Sequence, residues 1–455
     1  MANSTRGLDL LVIGGGIAGL TFAIDAHFSG HKVRIFEKRS GLSDFGDVLA
    51  MQGSCTRPLK RWPGFWDRLQ KLRITTRPDV YKYDGSKQVA TFSDPEAFEK
   101  ESVAVHRNEL HQLLQEYVEE LGLVIEFGKN IIKYTETEDK GRVVLEDGLQ
   151  AEADLVVAAD GVGSPSWNLV LKEKVHATSS GFAVYRGGYP TNHGLSNPAI
   201  KKFCDSYGGD GFVAMFIGPN AHMVISKSDS KIGWLLTHKD EKGAIEDWNN
   251  IVPSDEALPW IAGWDNFLSE IIKTSPPMSV TDWKLMWRDP QPLWVSPLGR
   301  VVQIGDAAHS FLPTSAYGAS MAMEDAHSLC ASITRGAKEN IPLSVRIHNA
   351  LRFERVACAQ KVGFKNREIF HKTDWEAVSK DPKALFRQWA PWLFNHDPEA
   401  YVAQKYDECA EYILNGKPFK TENAVPGHTF KAWTVKEFME ASESGKIPDD
   451  DGEWF

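Results

Sequence analysis

"LDLLVIGGGIAGL", Leu8 to Leu20, is the stretch whose reading decides the fold. The apolar run "LDLLVI" has the pattern of a strand covered on both faces. The glycines then lead into a helix, and "KVRIFEK", Lys32 to Lys38, reads as the next strand. The turn carries Gly14-x-Gly16-x-x-Gly19. In that spacing Gly14 permits a tight turn, Gly16 lets a pyrophosphate approach the backbone, and Gly19 allows helix–strand packing. The helix start adds free N–H groups and a positive dipole end for phosphate. Glu37 closes the second strand, 21 residues after Gly16, where a carboxylate binds ribose hydroxyls. A glycine triplet alone would be equally compatible with an unliganded turn. The full strand–turn–helix–strand–acid order points to a dinucleotide, without separating FAD from NAD.

Composition bounds the rest. The chain has 455 residues, 42% hydrophobic and 25% charged, as expected for a soluble protein of two or three domains. A net charge of −10 speaks against nucleic acid, whose binding rests on Lys and Arg. Five scattered cysteines without a CxxC pair suggest a reduced protein with neither a metal site nor a disulfide frame. "MANSTRGLD" lacks a signal-peptide pattern, and the longest uncharged run, Leu10 to Ile24, is fifteen residues with four glycines. The expectation is a cytoplasmic chain without a membrane span.

Farther along, residues 107–121 form an amphipathic helix with Asn108 as a plausible N-cap. From 123 to 158 the period becomes two, giving successive strands. Residues 178–237 read as further strands of antiparallel character. "GRVVQIGDAAH…MEDAHSLCASI" returns to strand-then-helix over 300–335, and helices follow at about 343–370 and 398–414. A polar tail, "SGKIPDDDGEWF", ends the chain.

Two more motifs complete the pattern. "DLVVAADGVGS" holds Asp160, Gly161 and Ser164; "GRVVQIGDAAHSFLP" holds Gly305, Asp306, His309 and Pro313, running into "YGASMAMEDA". With the glycine triplet, these resemble the class A flavoprotein monooxygenases of the p-hydroxybenzoate hydroxylase fold, over residues 8 to about 335. The resemblance implies an α/β chain: a Rossmann-like FAD-binding domain, an inserted antiparallel-sheet substrate domain and a helical C-terminal region. It divides the chain into FAD-binding parts 1–77, 106–175 and 296–375, substrate-domain parts 78–105 and 176–295, and a C-terminal region 376–455.

The resemblance also assigns roles. Asp306 would bind the ribityl and pyrophosphate region of FAD, where the alternative is a helix cap or turn residue. Gly318 and Ala319 would bring backbone N–H groups to the flavin's pyrimidine edge, and the small residues around them would clear space for the ring. Arg107 would contact the cofactor or stand solvated at its helix start. Asp160 belongs to the motif implicated in both FAD and NAD(P)H binding, and Ala50 to a backbone contact with flavin. A packed, hydrogen-bonded role is expected of His309. Two positions depart from the family: Trp167 stands where Arg is usual, and Tyr317 where many relatives have Gln. No second glycine triplet offers NAD(P)H its own domain.

In such enzymes NAD(P)H reduces FAD, and O₂ forms a flavin C4a-hydroperoxide that oxygenates an electron-rich aromatic ring or alkene. Arg186, in "GFAVYRGGYP", is expected at the substrate or flavin, or else in a structural ion pair. Asp47, in "DFGDVLAM", is either its acidic partner or an Asx-turn residue. The pair resembles a fungal subgroup that epoxidises indole alkaloids; hydroxylation of a phenolic polyketide is the alternative. Trp283, Trp287 and Trp294 line an aromatic pocket or, more simply, pack a core. A flavin-dependent dehydrogenase would need no NAD(P)H, the halogenase signature WxWxIP is absent, and a non-catalytic flavin binder would show no turnover.

Overall fold

A computed structural model describes residues 7–41, 47–74, 79–85, 88–91, 101–172, 177–208, 210–241, 243–244, 250–336, 340–380, 390–444 and 451–454. The expected boundaries at 77–78 and 175–176, the N-terminal "MANSTR" and most of the polar tail lie outside those residues.

The opening strand, Asp9–Ile13, is the centre of a five-stranded parallel sheet. In order, the strands are Val301–Gln303, Leu155–Ala158, Asp9–Ile13, Lys32–Phe36 and Ile125–Glu126. Three widely separated stretches of sequence thus build one sheet. Leu10, Leu11 and Val12 are fully buried, as a strand covered on both faces requires. The glycine helix, Ile17–Phe28, lies against it and buries every residue from Ala18 to Ala26. On its other side it packs against the small-residue helix Gly318–Gly336. Ala18, Ala322 and Ala326 share one core cluster there, and such small side chains let two helix backbones close in beside the sheet.

The second large sheet has eight strands, centred on Lys231–Lys239 and Ala221–Lys227, with Thr178–Pro190 beside the former. Its neighbours pair antiparallel, except that Phe212–Gly218 runs parallel to Asp79–Lys82. That exception marks where strands from residues 79–91 join a sheet otherwise built after residue 177. A two-stranded ribbon, Val48–Met51 with Val103–His106, links the two parts. The helix after it runs Arg107–Glu120 and is capped by His106, not by Asn108. The reason is a partner from another segment: the Arg107 N–H donates to the Asp47 carbonyl at 2.7 Å, and the helix already begins there. Helices Ile341–His371 and Pro398–Asn415 close the back of the molecule. Among the described residues no helix is long and apolar enough to cross a membrane.

Candidate active site

The glycine turn is built by close approach. Gly14 has φ +109°, and a Cβ there would lie 2.3 Å from the Ala159 carbonyl oxygen. Gly19 is equally confined, its hypothetical Cβ 2.1 Å from the Gly14 oxygen. A Cβ on Gly16 would meet nothing within 4 Å. One flank of the turn is sealed and the other faces open space, where a pyrophosphate fits. The Gly15 N–H donates to Glu37 Oε2 at 2.7 Å, and Glu37 Oε1 takes the Arg39 N–H at 2.9 Å. Glu37 is therefore held at the tip of its strand, half-buried beside the turn.

Asp306 follows Gly305 on a short 3₁₀ turn. Its side chain is exposed by area, yet burial is the first cause that raises its carboxyl pKa. Those two facts agree if Asp306 lines a recess, in reach of water but walled by protein. Arg107, Arg288 and His309 oppose that rise. The small-residue helix begins at Gly318, and Gly318 and Ala319 are half-buried at its N-terminal end. The first N–H groups of a helix have no intrahelical acceptor, so that end is a donor cluster.

Two buried polar atoms nearby have no partner. Tyr134 donates its hydroxyl to Asp160 Oδ2 at 2.6 Å, but Asp160 Oδ1 is unpaired. Gln52 is fully buried; its N–H donates to Ser320 Oγ at 3.2 Å, while its Nε2 has no acceptor. Ala50 sits half-buried two residues before Gln52, opposite Ala104 in the ribbon. A glycine cradle, a helix N-terminus, a recessed acid and orphaned buried polar atoms match the donor and acceptor demands of FAD.

Arg186 points from the eight-stranded sheet, on the strand between those of Thr281 and Leu235. Its Nη1 donates to Asp47 Oδ2. The side chains are 10% and 16% exposed, and Asp47, Gly187 and Leu235 line a small crevice beside the pair. Burial, the largest cause, and the nearby Arg107 charge depress the Arg186 pKa, while Asp47 raises it.

The structure brings Arg107 next to both Asp306 and Arg186 electrostatically. It takes the tryptophans elsewhere. Trp287 is buried against Phe364, and Trp294 in a cluster with Trp167 and Tyr317; Trp283 is partly buried beside the first of these. Both departures from the family pattern, Trp167 and Tyr317, therefore pack in one apolar cluster. His309 is buried and bonded through Nε2 to Asp325 at 2.6 Å. Sequence reasoning missed Gln52, Arg288 and His111. His111 Nε2 contacts the Gly15 carbonyl, and its spacing of four from Arg107 was the available signal. A further cluster, Asp25, His327 and Glu399, brings one ligand atom each within 4.8 Å. Those residues are already bonded to one another or to Trp62, the Cys55 carbonyl and Arg61.

The family described as FAD binding domain matches residues 7–341. The chain belongs to it. It is also 35% identical to the FAD-dependent monooxygenase mdpD of Emericella nidulans, over 99% of this chain and 91% of that one. With fsr3 of Gibberella fujikuroi, another FAD-dependent monooxygenase, it shares 32% identity over 99% and 90%. The crystal structure of CtdE with FAD and a substrate superposes with a TM-score of 0.83 at 27% identity, covering 89% of this chain and 99% of that one. FqzB superposes at 0.82 and 26%, over 93% and 99%. The chain is an FAD-dependent monooxygenase.

Proposed function

We propose that this monooxygenase uses NAD(P)H and O₂ to hydroxylate or epoxidise an electron-rich aromatic secondary metabolite of indole-alkaloid type. The observation that carries the reading is the Arg186–Asp47 ion pair, partly open where the start of the ribbon meets the eight-stranded sheet. When bound, FAD supplies the redox chemistry: electrons from NAD(P)H and activation of O₂.

The chain's own residues do the rest. Gly14, Gly16, Gly19 and Glu37 hold the nucleotide end, and Asp160 and Asp306 the middle of the cofactor. Arg107 and Ala50 contact it from the ribbon side. The N–H groups of Gly318 and Ala319 stabilise negative charge on the flavin's pyrimidine edge. Asp47 commits Oδ2 to Arg186 and presents Oδ1 to an indole N–H or a substrate ammonium. Arg186 donates to the substrate oxygen as charge develops there. The crevice walls exclude water around that exchange. The domain division given above and a cytoplasmic location belong to this reading; all five cysteines are free and buried, which suits a reducing compartment.

The test is NADPH oxidation by the yellow protein against panels of indole alkaloids and phenolic polyketides, with product masses recorded. Turnover on an indole, with product heavier by one oxygen, is expected. Turnover on phenols alone replaces the substrate class and reduces Asp47 to a loop residue. Substrate oxidation without NADPH would make the chain a dehydrogenase. Asp306→Ala is expected to purify without flavin.

A further inference from the structure

The small-residue helix carries Glu324 and Asp325 side by side, and Arg352 and Arg355 face them from helix Ile341–His371. All four are 0% exposed. Two acids and two arginines balance in charge, but they do different work. Glu324 receives Arg352 Nη1 and two bonds from Arg355, at 2.8 and 2.9 Å. Arg355 donates onward to the carbonyls of Trp392, Asn423 and Leu393 at 2.7, 2.9 and 3.0 Å. Glu324 thus ties the two helices to the C-terminal region.

Asp325 faces the other way. Its Oδ1 takes Arg352 Nε at 2.9 Å. Its Oδ2 bonds the Gly305 N–H at 3.0 Å and His309 Nε2 at 2.6 Å. Gly305 is in the left-handed region, φ +59°, and Asp306 is the next residue. His309 closes the same turn, its N–H donating to the Gly305 carbonyl at 2.9 Å. Burial alone would raise the Asp325 pKa, but His309 and Arg352 hold it at about 2, so the acceptor stays charged.

We propose that Asp325 is a positioning residue for the cofactor: gripping Gly305 and His309 from behind, it fixes the turn that presents Asp306 to FAD. The inference rests on the reading that Asp306 contacts FAD. A carboxylate suits the position because three donors converge on it. Asparagine has one acceptor oxygen, and its amide would meet a donor.

The test compares two equally buried acids in the full-length holoenzyme, with FAD release followed by flavin fluorescence and absorption. Asp325→Asn is expected to weaken FAD binding about tenfold and to shift the flavin absorption bands. Glu324→Gln is expected to lower the thermal midpoint while leaving FAD affinity within about twofold of wild type. Equal weakening by both variants overturns the proposal, since a purely structural lattice would behave so. A folded Asp325→Asn with unchanged affinity also overturns it. Should Asp325→Asn fail to fold, His309→Leu and His309→Gln decide. Leucine should loosen FAD, and glutamine, whose amide can donate to Oδ2, should restore it; identical affinities in both overturn the proposal. Asp306→Ala is measured first: unchanged FAD affinity there removes the reading of Asp306 and overturns the proposal with it, whereas flavin loss in Asp306→Ala beside an unchanged Asp325→Asn overturns the tether alone.

Discussion

Two charged groups in this molecule invite comparison: the Glu324–Asp325–Arg352–Arg355 lattice and the Arg186–Asp47 pair. The lattice is sealed, and each arginine is bonded to acids and to main-chain carbonyls. The pair is 10% and 16% exposed at a crevice, and its cation has a depressed pKa. A sealed and saturated charge has nothing left to offer a ligand, so its contribution is to hold structure. A charge that is desolvated yet still reachable can exchange its partner for a substrate. Burial alone does not separate scaffold from chemistry; what separates them is whether the site opens to the cleft.

The comparison can be broken most forcefully at the lattice. Glu324→Ala leaves Arg355 buried without its acid and Arg352 with Asp325 alone, and should cost about 3–5 kcal/mol, read from chemical denaturation at saturating FAD. A loss as small as that of a surface pair would mean that water enters the lattice. Next comes the crevice. Arg186→Ala should keep its flavin and its stability yet form product about a hundredfold more slowly, and Arg186→Lys should recover little, because an ammonium cannot reproduce the guanidinium fork. Full product formation by the alanine variant would remove Arg186 from the mechanism.

A third test reads the neighbourhood of the sealed lattice by pH, one unit at a time. His348, bonded to Ser328 Oγ at 3.1 Å, has its pKa pushed down to about 3, chiefly by burial. In the unfolded chain it takes a proton below about 6.5, which the folded protein refuses until about pH 3. Stability from this group is therefore complete above that range and is lost as the pH falls through it, by about 1.4 kcal/mol per unit. His348→Gln should remove that share of the acid slope; an unchanged slope would show that His348 charges in place. Smallest of all, Lys201→Ala breaks the Lys201–Asp205 pair, 57% and 60% exposed, and should leave the denaturation midpoint unchanged.

The parts legible in the sequence are those fixed by local geometry. Gly14, Gly16, Gly19 and Glu37 announce themselves because one strand, one turn and one helix set their spacing. The Gly305–Asp306 turn and the small-residue helix are local too. Asp47 and Arg186 are far apart in the chain, and their pairing came from the resemblance rather than from periodicity. Gln52, Arg288 and Asp325 were illegible for a physical reason: each matters only through a neighbour supplied by another segment. In sequence, the Asp of "MEDA" is one more polar helix residue. The helix N-cap failed likewise, since Arg107 is fixed by Asp47 and not by its own turn.

The discontinuous parallel sheet also governs how the protein is made. Leu10 pairs with Leu155, and Val156 with Val301. The apolar opening strand and its neighbour Lys32–Phe36 emerge from the ribosome long before the partner on the other edge, Leu155–Ala158, exists. At roughly 5–20 residues per second, synthesis from the first strand to the last takes about 15–60 s. Non-local parallel pairing is also slow to form once the chain is complete. The flavin cradle is thus among the last features the growing chain can assemble, and the opening strand needs shelter throughout that wait.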